Sequence, residues 1–235
     1  MQQAAPILIT GAAQRIGLHC AKRLVADGYS VIISYRSEHE QLEQLTQLGV
    51  TCIQADFSCE ASILVFIEQI KRHTSNLRAI IHNASMWQAD NHPSASQPLS
   101  QLFHVHMLAP YMINLACAPL LEQSPIADII HISDDVTRRG SSKRIAYSAT
   151  KAGMDNMTLS FAARFAPKIK VNTIAPALIM QHPSDAEPYL QQAKNKSVMQ
   201  TIPGPNVVYQ TIKYLLDCPY TTGTTLTLNG GRHLL

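Results

Sequence analysis

The sequence predicts an α/β protein, a doubly wound parallel sheet of seven strands with helices on both faces in three α/β/α layers. Three observations carry this expectation. Short apolar runs alternate with longer amphipathic segments along all 235 residues. Several runs are apolar on both faces, as a parallel strand covered on two sides must be. The segments between them repeat their apolar residues at helical spacing.

The strand runs are residues 6–10, 30–35, 51–55, 78–82, 128–133, 170–174 and 224–228, all rich in Ile, Val, Leu and Thr. Helical stripes lie between them: Ile16, Cys20, Leu24 and Val25; Leu42, Leu45 and Leu48; Ile63, Phe66, Ile67 and Ile70. Gly28 and Gly49 are placed to end the first two helices before the next strand. Two irregular stretches, residues 84–98 and 176–188, follow predicted strands. Ligands in open α/β sheets bind beyond the carboxyl ends of strands, so both are candidate substrate loops.

Composition excludes several classes. Hydrophobic residues make up 46% and charged residues only 15%, against disorder, a charged coiled coil or a solvating tail. A net charge of +3 with no Lys/Arg block gives no nucleic-acid footprint. The five cysteines are odd in number and form no C-x-x-C, so neither a disulfide framework nor a zinc site is expected, which fits a reducing, cytoplasmic compartment. The ten histidines are scattered without metal-ligand spacing, so no metal is expected. Residues 1–9 lack the basic region of a signal peptide, and no run of 18 apolar residues is present to span a membrane.

The first strand runs into Gly11-Ala12-Ala13-Gln14-Arg15-Ile16-Gly17 and then a helix. Glycine lets backbone approach a phosphate closely, and a helix N-terminus offers free N–H groups to it. The second strand ends Tyr35-Arg36-Ser37 with no acid there, and Arg15 sits inside the first turn. Two arginines and a serine around one pocket suit a 2′-phosphate, so NADPH is expected over NADH. Asp56, followed by Phe57, closes the third strand; its carboxylate is placed either to accept from an adenine amino group or to cap the next helix.

Taken in order, Thr10-Gly11-x-x-x-Arg15-x-Gly17, His82-Asn83-Ala84-Ser85, Tyr147-x-x-x-Lys151, Asn172 with Pro176, Thr222-Gly223 and Asn229-Gly230-Gly231 resemble the short-chain dehydrogenase/reductase family over essentially the whole chain. Arg15 in place of the turn's second glycine, Ser85-Met86-Trp87 after Asn83-Ala84, and Asp134 thirteen residues before Tyr147 resemble its pteridine reductase branch. The resemblance implies a Rossmann-like fold in one domain, residues 1–235, with a nucleotide-binding half of about 1–125 and a catalytic half of about 126–235. It further implies a homotetramer, NADPH and a reduced pterin as substrate. The cofactor would be held by Gly11, Gln14, Arg15, Ile16, Gly17, Tyr35, Arg36, Ser37, Asp56, Phe57, Asn83, Ala84, Ser85, Tyr147, Lys151, Pro176, Ala177 and Ile179. The substrate would meet Arg15, Ser85, Trp87, Asp134 and Tyr147, with Trp87 stacking the pterin and residues 181–190 around its side chain. Four positions depart from the family: His82 and His106 stand where it has asparagine, Ala177 replaces a glycine and Asn229 an aspartate. The family's asparagine at His106 helps hold a water leading protons to the lysine.

The catalytic candidates are Asp134, Tyr147 and Lys151. Tyr147 and Lys151, four apart on a helix, share one face. A phenol titrates near ~10, and a neighbouring ammonium is expected to lower that value and make the pair a proton donor. Asp134 selects the substrate class. A ketone under reduction develops negative charge on oxygen and wants neutral donors there. A C=N bond accepts hydride best once its nitrogen is protonated, and a carboxylate stabilises that cation. For a 7,8-dihydropterin, hydride goes to C6 and the proton to N5. The alternative, a carbonyl reductase of the same family, needs serine at this position, and Ser133 lies one residue away.

Overall fold

The computed structural model describes residues 5–90 and 96–235. Part of the first irregular stretch, residues 91–95, and the start of the chain, residues 1–4, lie outside the described residues. In chain order the elements are β1 (Ile7–Ile9), α1 (Arg15–Ala26), β2 (Val31–Tyr35), α2 (Gln41–Gln47), β3 (Thr51–Gln54), α3 (Glu60–His73), β4 (Ala79–His82), α4 (Ser96–Phe103), α5 (Ala109–Leu121), β5 (Ala127–Ile132), α6 (Ile145–Phe165), β6 (Ile169–Pro176), α7 (Glu187–Lys194), α8 (Asn206–Asp217) and β7 (Thr225–Leu228). A π-helical turn, His104–Leu108, joins α4 to α5, and a 3₁₀ turn, Asp135–Arg138, follows β5.

The seven strands form one parallel sheet in the order β3-β2-β1-β4-β5-β6-β7. Each expected run becomes a strand within a residue or two, and β6 extends to Pro176, paired with Leu228. Strand order reverses between β1 and β4, and the crevice beyond their carboxyl ends is where such sheets bind ligands. Side chains alternate across the sheet. Ile7, Ile9 and Ile33 pack with Leu24, Ile212 and Leu215 on one face, while Leu8, Ile32 and Ile80 pack with Phe66, Ile113 and Phe161 on the other.

Gly28 and Gly49 end their helices as expected. Gly28 N–H donates to Val25 O and Tyr29 N–H to Leu24 O; Gly49 N–H donates to Thr46 O and Val50 N–H to Leu45 O. This paired closure needs a left-handed residue, and the two glycines have φ of 88° and 82°. One stripe member is corrected here. Leu48 is 47% exposed, because α2 ends at Gln47 and Val50, one residue past the glycine, takes the buried place.

A buried polar row crosses the sheet where His82, His131 and Thr173 are partners in register. Asn114 sits between the rings, accepting from His82 Nε2 at 2.8 Å through Oδ1 and donating to His131 Nε2 at 3.2 Å through Nδ2. His131 Nδ1 then carries the hydrogen and donates to Thr158 Oγ1 at 2.7 Å, which meets Thr173 Oγ1 at 2.6 Å. Every link is a neutral group meeting its partner, so the row needs unprotonated imidazoles. Burial draws His82 down to about 4 and His131 well below its usual range. The folded values lie below the unfolded one of about 6.5, so below that pH the unfolded chain binds more protons and stability falls as pH drops. We expect urea midpoints to decline from pH 6.5 to 4, with His82 alone contributing on the order of 3 kcal/mol at the low end. A midpoint constant over that window would refute the neutral row.

At the opposite end of the sheet, buried Asp128 pairs with Lys170 and Arg78. Both cations also donate to the last carbonyls of α8, Lys170 to Leu215 O at 2.6 Å and Arg78 to Leu216 O at 2.7 Å. This clamp locks the amino ends of β4–β6 and leaves their carboxyl ends for chemistry.

Candidate active site

The first turn is held from below by the segment after β4. Asn83 Nδ2 donates to Thr10 O at 3.0 Å and Gly11 O at 2.9 Å, while the Asn83 and Ala84 N–H groups both donate to Thr10 Oγ1. A Cβ on Gly11 would lie 2.7 Å from Ala84 Cα, and one on Gly17 would lie 2.5 Å from Asn83 Nδ2. The glycines are therefore needed for this close approach. Asn83 spends its amide donors on the turn, which fixes the turn's shape for a cofactor.

A cleft opens beside this turn, lined by Gly11, Ala13, Gln14, Ser34, Tyr35, Arg36, Ser37, His39, Ala55, Asp56, Phe57, Ala84, Ser85, Met86 and Val105. Gln14 is the N-cap of α1 and makes no side-chain capping bond, which leaves the first N–H groups of that helix for an anionic ligand. Arg36 and Ser37 sit together at the end of β2, where a 2′-phosphate would be read. His39 adds a third polar group that the sequence reading missed; only its place after Ser37 hinted at it. The donor set and the glycine cradle fit a dinucleotide carrying that extra phosphate.

Several expected contacts are redistributed. Arg15 does not share the cleft with Arg36. It lines a second opening with Gln14, Met180, Gln181, His182 and Pro183, and its Nη2 donates to Met180 O at 3.5 Å. Its φ of 53° is the reason glycine is usual in this place: a non-glycine residue is strained there by about 1–2 kcal/mol. Ile179 is buried in the core, so its side chain is not free to touch a ligand. Phe57 lines the cleft, but its ring packs edge-on against Phe66 with centroids 5.2 Å apart. Asp56 is no cap for α3, which starts at Glu60; its Oδ1 accepts from Ser58 N–H at 2.9 Å in a local turn. Ile16 is half-buried against the core, and Ala177 N–H is held by Leu228 O at 2.9 Å just past Pro176.

The catalytic candidates do converge. Asp134 leaves β5 in extended conformation and caps the following 3₁₀ turn, with Oδ1 accepting from Val136 N–H at 2.8 Å. Its Oδ2 accepts from Tyr147 Oη at 3.0 Å. Both neighbours are used elsewhere. Ser133 is buried and donates to Lys151 O at 3.4 Å, and Asp135 pairs with Arg139 and accepts from Asn229 Nδ2 at 2.7 Å. The residue facing the tyrosine is thus the aspartate and not the serine. The Asn229 contact also explains that departure, since an aspartate there would face the Asp135 carboxylate with no donor.

The expected charge balance at Tyr147 is corrected. Burial first, and then the Asp134 carboxylate, push its hydroxyl above the ordinary phenol value of about 10. Lys151 does not offset this. Its Nζ donates to Ile132 O at 2.8 Å and lies 6.0 Å from the Tyr147 ring centre. Burial draws Lys151 down to about 8, against the opposing pull of Asp134 and Asp155. Tyr147 therefore stays a protonated donor hydrogen-bonded to a carboxylate. The His106 ring is not free to hold a relay water, since both its nitrogens are bonded to protein: Nε2 to Ser85 Oγ at 2.9 Å and Nδ1 to Thr150 Oγ1 at 2.9 Å. Trp87 is 64% exposed on the segment after β4, so it does not pack that segment onto the core.

The sheet order, the glycine-cradled first turn and the Tyr147/Lys151 pair above the carboxyl ends of the strands define a nucleotide-dependent oxidoreductase of the α/β class. A family model described as short chain dehydrogenase matches residues 5–187, and the chain belongs to that family. It is 49% identical over 232 residues to dihydromonapterin reductase of Enterobacter sp. (strain 638), covering 97% of each chain. It is 45% identical over 236 residues to the dihydromonapterin reductase of Escherichia coli O6:H1, covering 99% of this chain and 98% of that one. Among solved structures it is similar in fold to FolM alternative dihydrofolate reductase 1 from Brucella canis complexed with NADP, with a TM-score of 0.90 at 23% identity over 100% of this chain and 96% of that one. Among the described residues no helix is long and apolar enough to cross a membrane, and no group of His, Cys, Asp and Glu is arranged to hold a metal ion.

Proposed function

We propose that this protein is an NADPH-dependent dihydropterin reductase that reduces 7,8-dihydromonapterin to tetrahydromonapterin and also accepts dihydrofolate. The observation that carries this reading is the 3.0 Å hydrogen bond from the Tyr147 hydroxyl to the Asp134 carboxylate, with Ser133 turned away. The names of relatives at 45–49% identity over nearly the full length support the same substrate.

When bound, the cofactor supplies the hydride. The chain's own groups do the rest. Arg36, Ser37 and His39 receive the 2′-phosphate; Gly11, Gln14 and Gly17 shape the turn around the pyrophosphate. Lys151 keeps two further donors beyond the one spent on Ile132 O, and these would serve the cofactor's ribose. Ser85, from the segment after β4, and Arg15, from the first turn, line the two openings that would border the substrate, and Trp87 follows Ser85 on the same segment. Asp134 stabilises the protonated ring nitrogen N5 as hydride reaches C6, and Tyr147 supplies or orients the proton. The carbonyl reductase alternative is disfavoured by the same bond, because an incipient alkoxide would meet a carboxylate 3.0 Å from its proton donor.

The nucleotide is held by the half comprising about residues 1–125 and the chemistry is done by about 126–235 of one domain. The protein works as a cytoplasmic homotetramer; light scattering on the purified protein tests the tetramer. NADPH oxidation measured over a panel of dihydropterins, dihydrofolate and simple ketones decides the function; preference for a ketone would overturn it. Replacing Arg36 by Asp should raise the KM for NADPH at least about tenfold while changing that for NADH far less, since only the former loses a charged partner. Equal losses for both would remove the 2′-phosphate assignment.

A further inference from the structure

The segment that leaves β4 carries Ser85 and Trp87 and forms no helix or strand up to Asp90, yet it is tied to the catalytic helix α6 at both ends. The first tie is His106, fully buried in the π-helical turn. Its Nε2 accepts from Met86 N–H at 3.3 Å and from the Ser85 hydroxyl at 2.9 Å. A nitrogen that accepts carries no hydrogen, so Nδ1 carries it and donates to Thr150 Oγ1 at 2.9 Å; the Thr150 hydroxyl donates to Tyr147 O at 3.0 Å. The His106 ring also stands edge-on to the Tyr147 ring, 5.4 Å away at 84°. Burial draws it down to about 2, so it keeps this neutral form at working pH. The second tie is Asp90. Its carboxylate accepts from the first two N–H groups of α6, those of Ile145 and Ala146, the latter at 3.2 Å. These donors lie two and one residues before Tyr147, and the helix has no side-chain cap from its own N-cap, Arg144. A negative group at a helix N-terminus is favoured electrostatically as well as by hydrogen bonding.

We propose that His106 and Asp90 are paired clips that hold residues 85–90 on the catalytic helix, making them the positioning residues for Ser85 and Trp87 and hence determinants of substrate affinity. The clips flank an exposed tryptophan: core packing does not hold Trp87, so the ties on either side of it set the position of its backbone. They also give the histidine in the π turn a task distinct from holding a water. Such insertions in helices recur at functional sites because they turn a side chain inward out of helical phase. The part of this inference that concerns the substrate rests on the dihydropterin reading; the clips themselves do not.

Trp87 is the only tryptophan, so tryptophan emission excited beyond the tyrosine absorption reports on this segment alone. The test compares the full-length protein with Asp90→Ala, Asp90→Asn and His106→Phe, by acrylamide quenching and anisotropy without substrate and by steady-state kinetics with NADPH and 7,8-dihydromonapterin. Asp90 is exposed, so its replacement leaves the fold intact. For Asp90→Ala we expect quenching to rise about twofold, anisotropy to fall, and KM for the pterin to rise about tenfold with kcat within about twofold, as lost charge-assisted hydrogen bonds and preorganisation require. Asp90→Asn keeps an accepting oxygen and should recover most of both effects. His106→Phe keeps the ring edge on Tyr147 but loses all three ring hydrogen bonds and should loosen Trp87 likewise. Quenching and anisotropy of Asp90→Ala equal to those of the unaltered protein overturn the clips, whatever the kinetics. An unaltered protein that fails to reduce the dihydropterin overturns the functional reading instead, and leaves the fluorescence result to decide the clips.

Discussion

Replacing Tyr147 by Phe should lower kcat for the dihydropterin by about 10²–10⁴, the span that a positioned acid contributes, while NADPH still binds. The substitution removes one oxygen. Burial of the ring, its edge contact with His106 and the Thr150 bond to the Tyr147 carbonyl all remain. What disappears is the hydrogen bond to Asp134 Oδ2 and the proton it carries. Because burial and the carboxylate hold this hydroxyl above the ordinary phenol range, it is protonated throughout the working pH range. Its loss should therefore depress the rate about equally at pH 6 and pH 8. A different pH effect is expected from Lys151, drawn by burial to about 8: its ammonium discharges as pH rises through that value, and cofactor affinity should weaken there in both proteins. The measurement is NADPH oxidation by absorbance together with a fluorescence titration of NADPH. Turnover within about twofold of the unaltered protein would remove Tyr147 from proton transfer.

The legibility of this protein in its sequence divides along a physical line. β1 could be read because a parallel strand covered on both faces is apolar throughout, and β4 and β5 keep Ile-rich centres despite His82, Asp128 and His131. The glycine stops could be read because a left-handed residue after a helix has few alternatives. Leu48 misled because an apolar residue at a helix end looks the same whether it closes the stripe or yields its place to Val50 beyond the glycine. Among the catalytic candidates, the i, i+4 spacing of Tyr147 and Lys151 correctly gave a shared face. It could not say that the ammonium is directed to Ile132 O, nor that burial and the Asp134 carboxylate together raise the tyrosine. That Arg15 lines the opening with Met180 and not the one with Arg36 is likewise hidden from the sequence, since its φ of 53° is a property of the folded turn. The ties of His106 and Asp90 join residues 20 to 56 positions apart, and local pattern carries no information on such pairs.

Replacing Asp134 by Asn should lower kcat/KM for the dihydropterin about a hundredfold, and this substitution tests charge with little change of shape. Asparagine still offers an oxygen to Val136 N–H, so the 3₁₀ turn after β5 keeps its cap. It also leaves an acceptor or donor near the Tyr147 hydroxyl. What it lacks is the negative charge beside the reacting nitrogen. If hydride transfer to C6 requires positive charge on N5, the carboxylate stabilises the transition state more than the neutral imine, and removing it costs rate, not merely affinity. The loss should therefore fall on kcat as well as on kcat/KM. The same variant should bring the Tyr147 hydroxyl back toward its ordinary value, since the carboxylate is the second cause of its elevation after burial. A ketone substrate should respond the other way, because an incipient alkoxide no longer faces an anion; replacing Asp134 by Ser, which restores a neutral hydroxyl donor, should enlarge any ketone activity further. Dihydropterin turnover unchanged in the Asn variant would show that the carboxylate serves only to cap the turn, and would return the site to a general reductase.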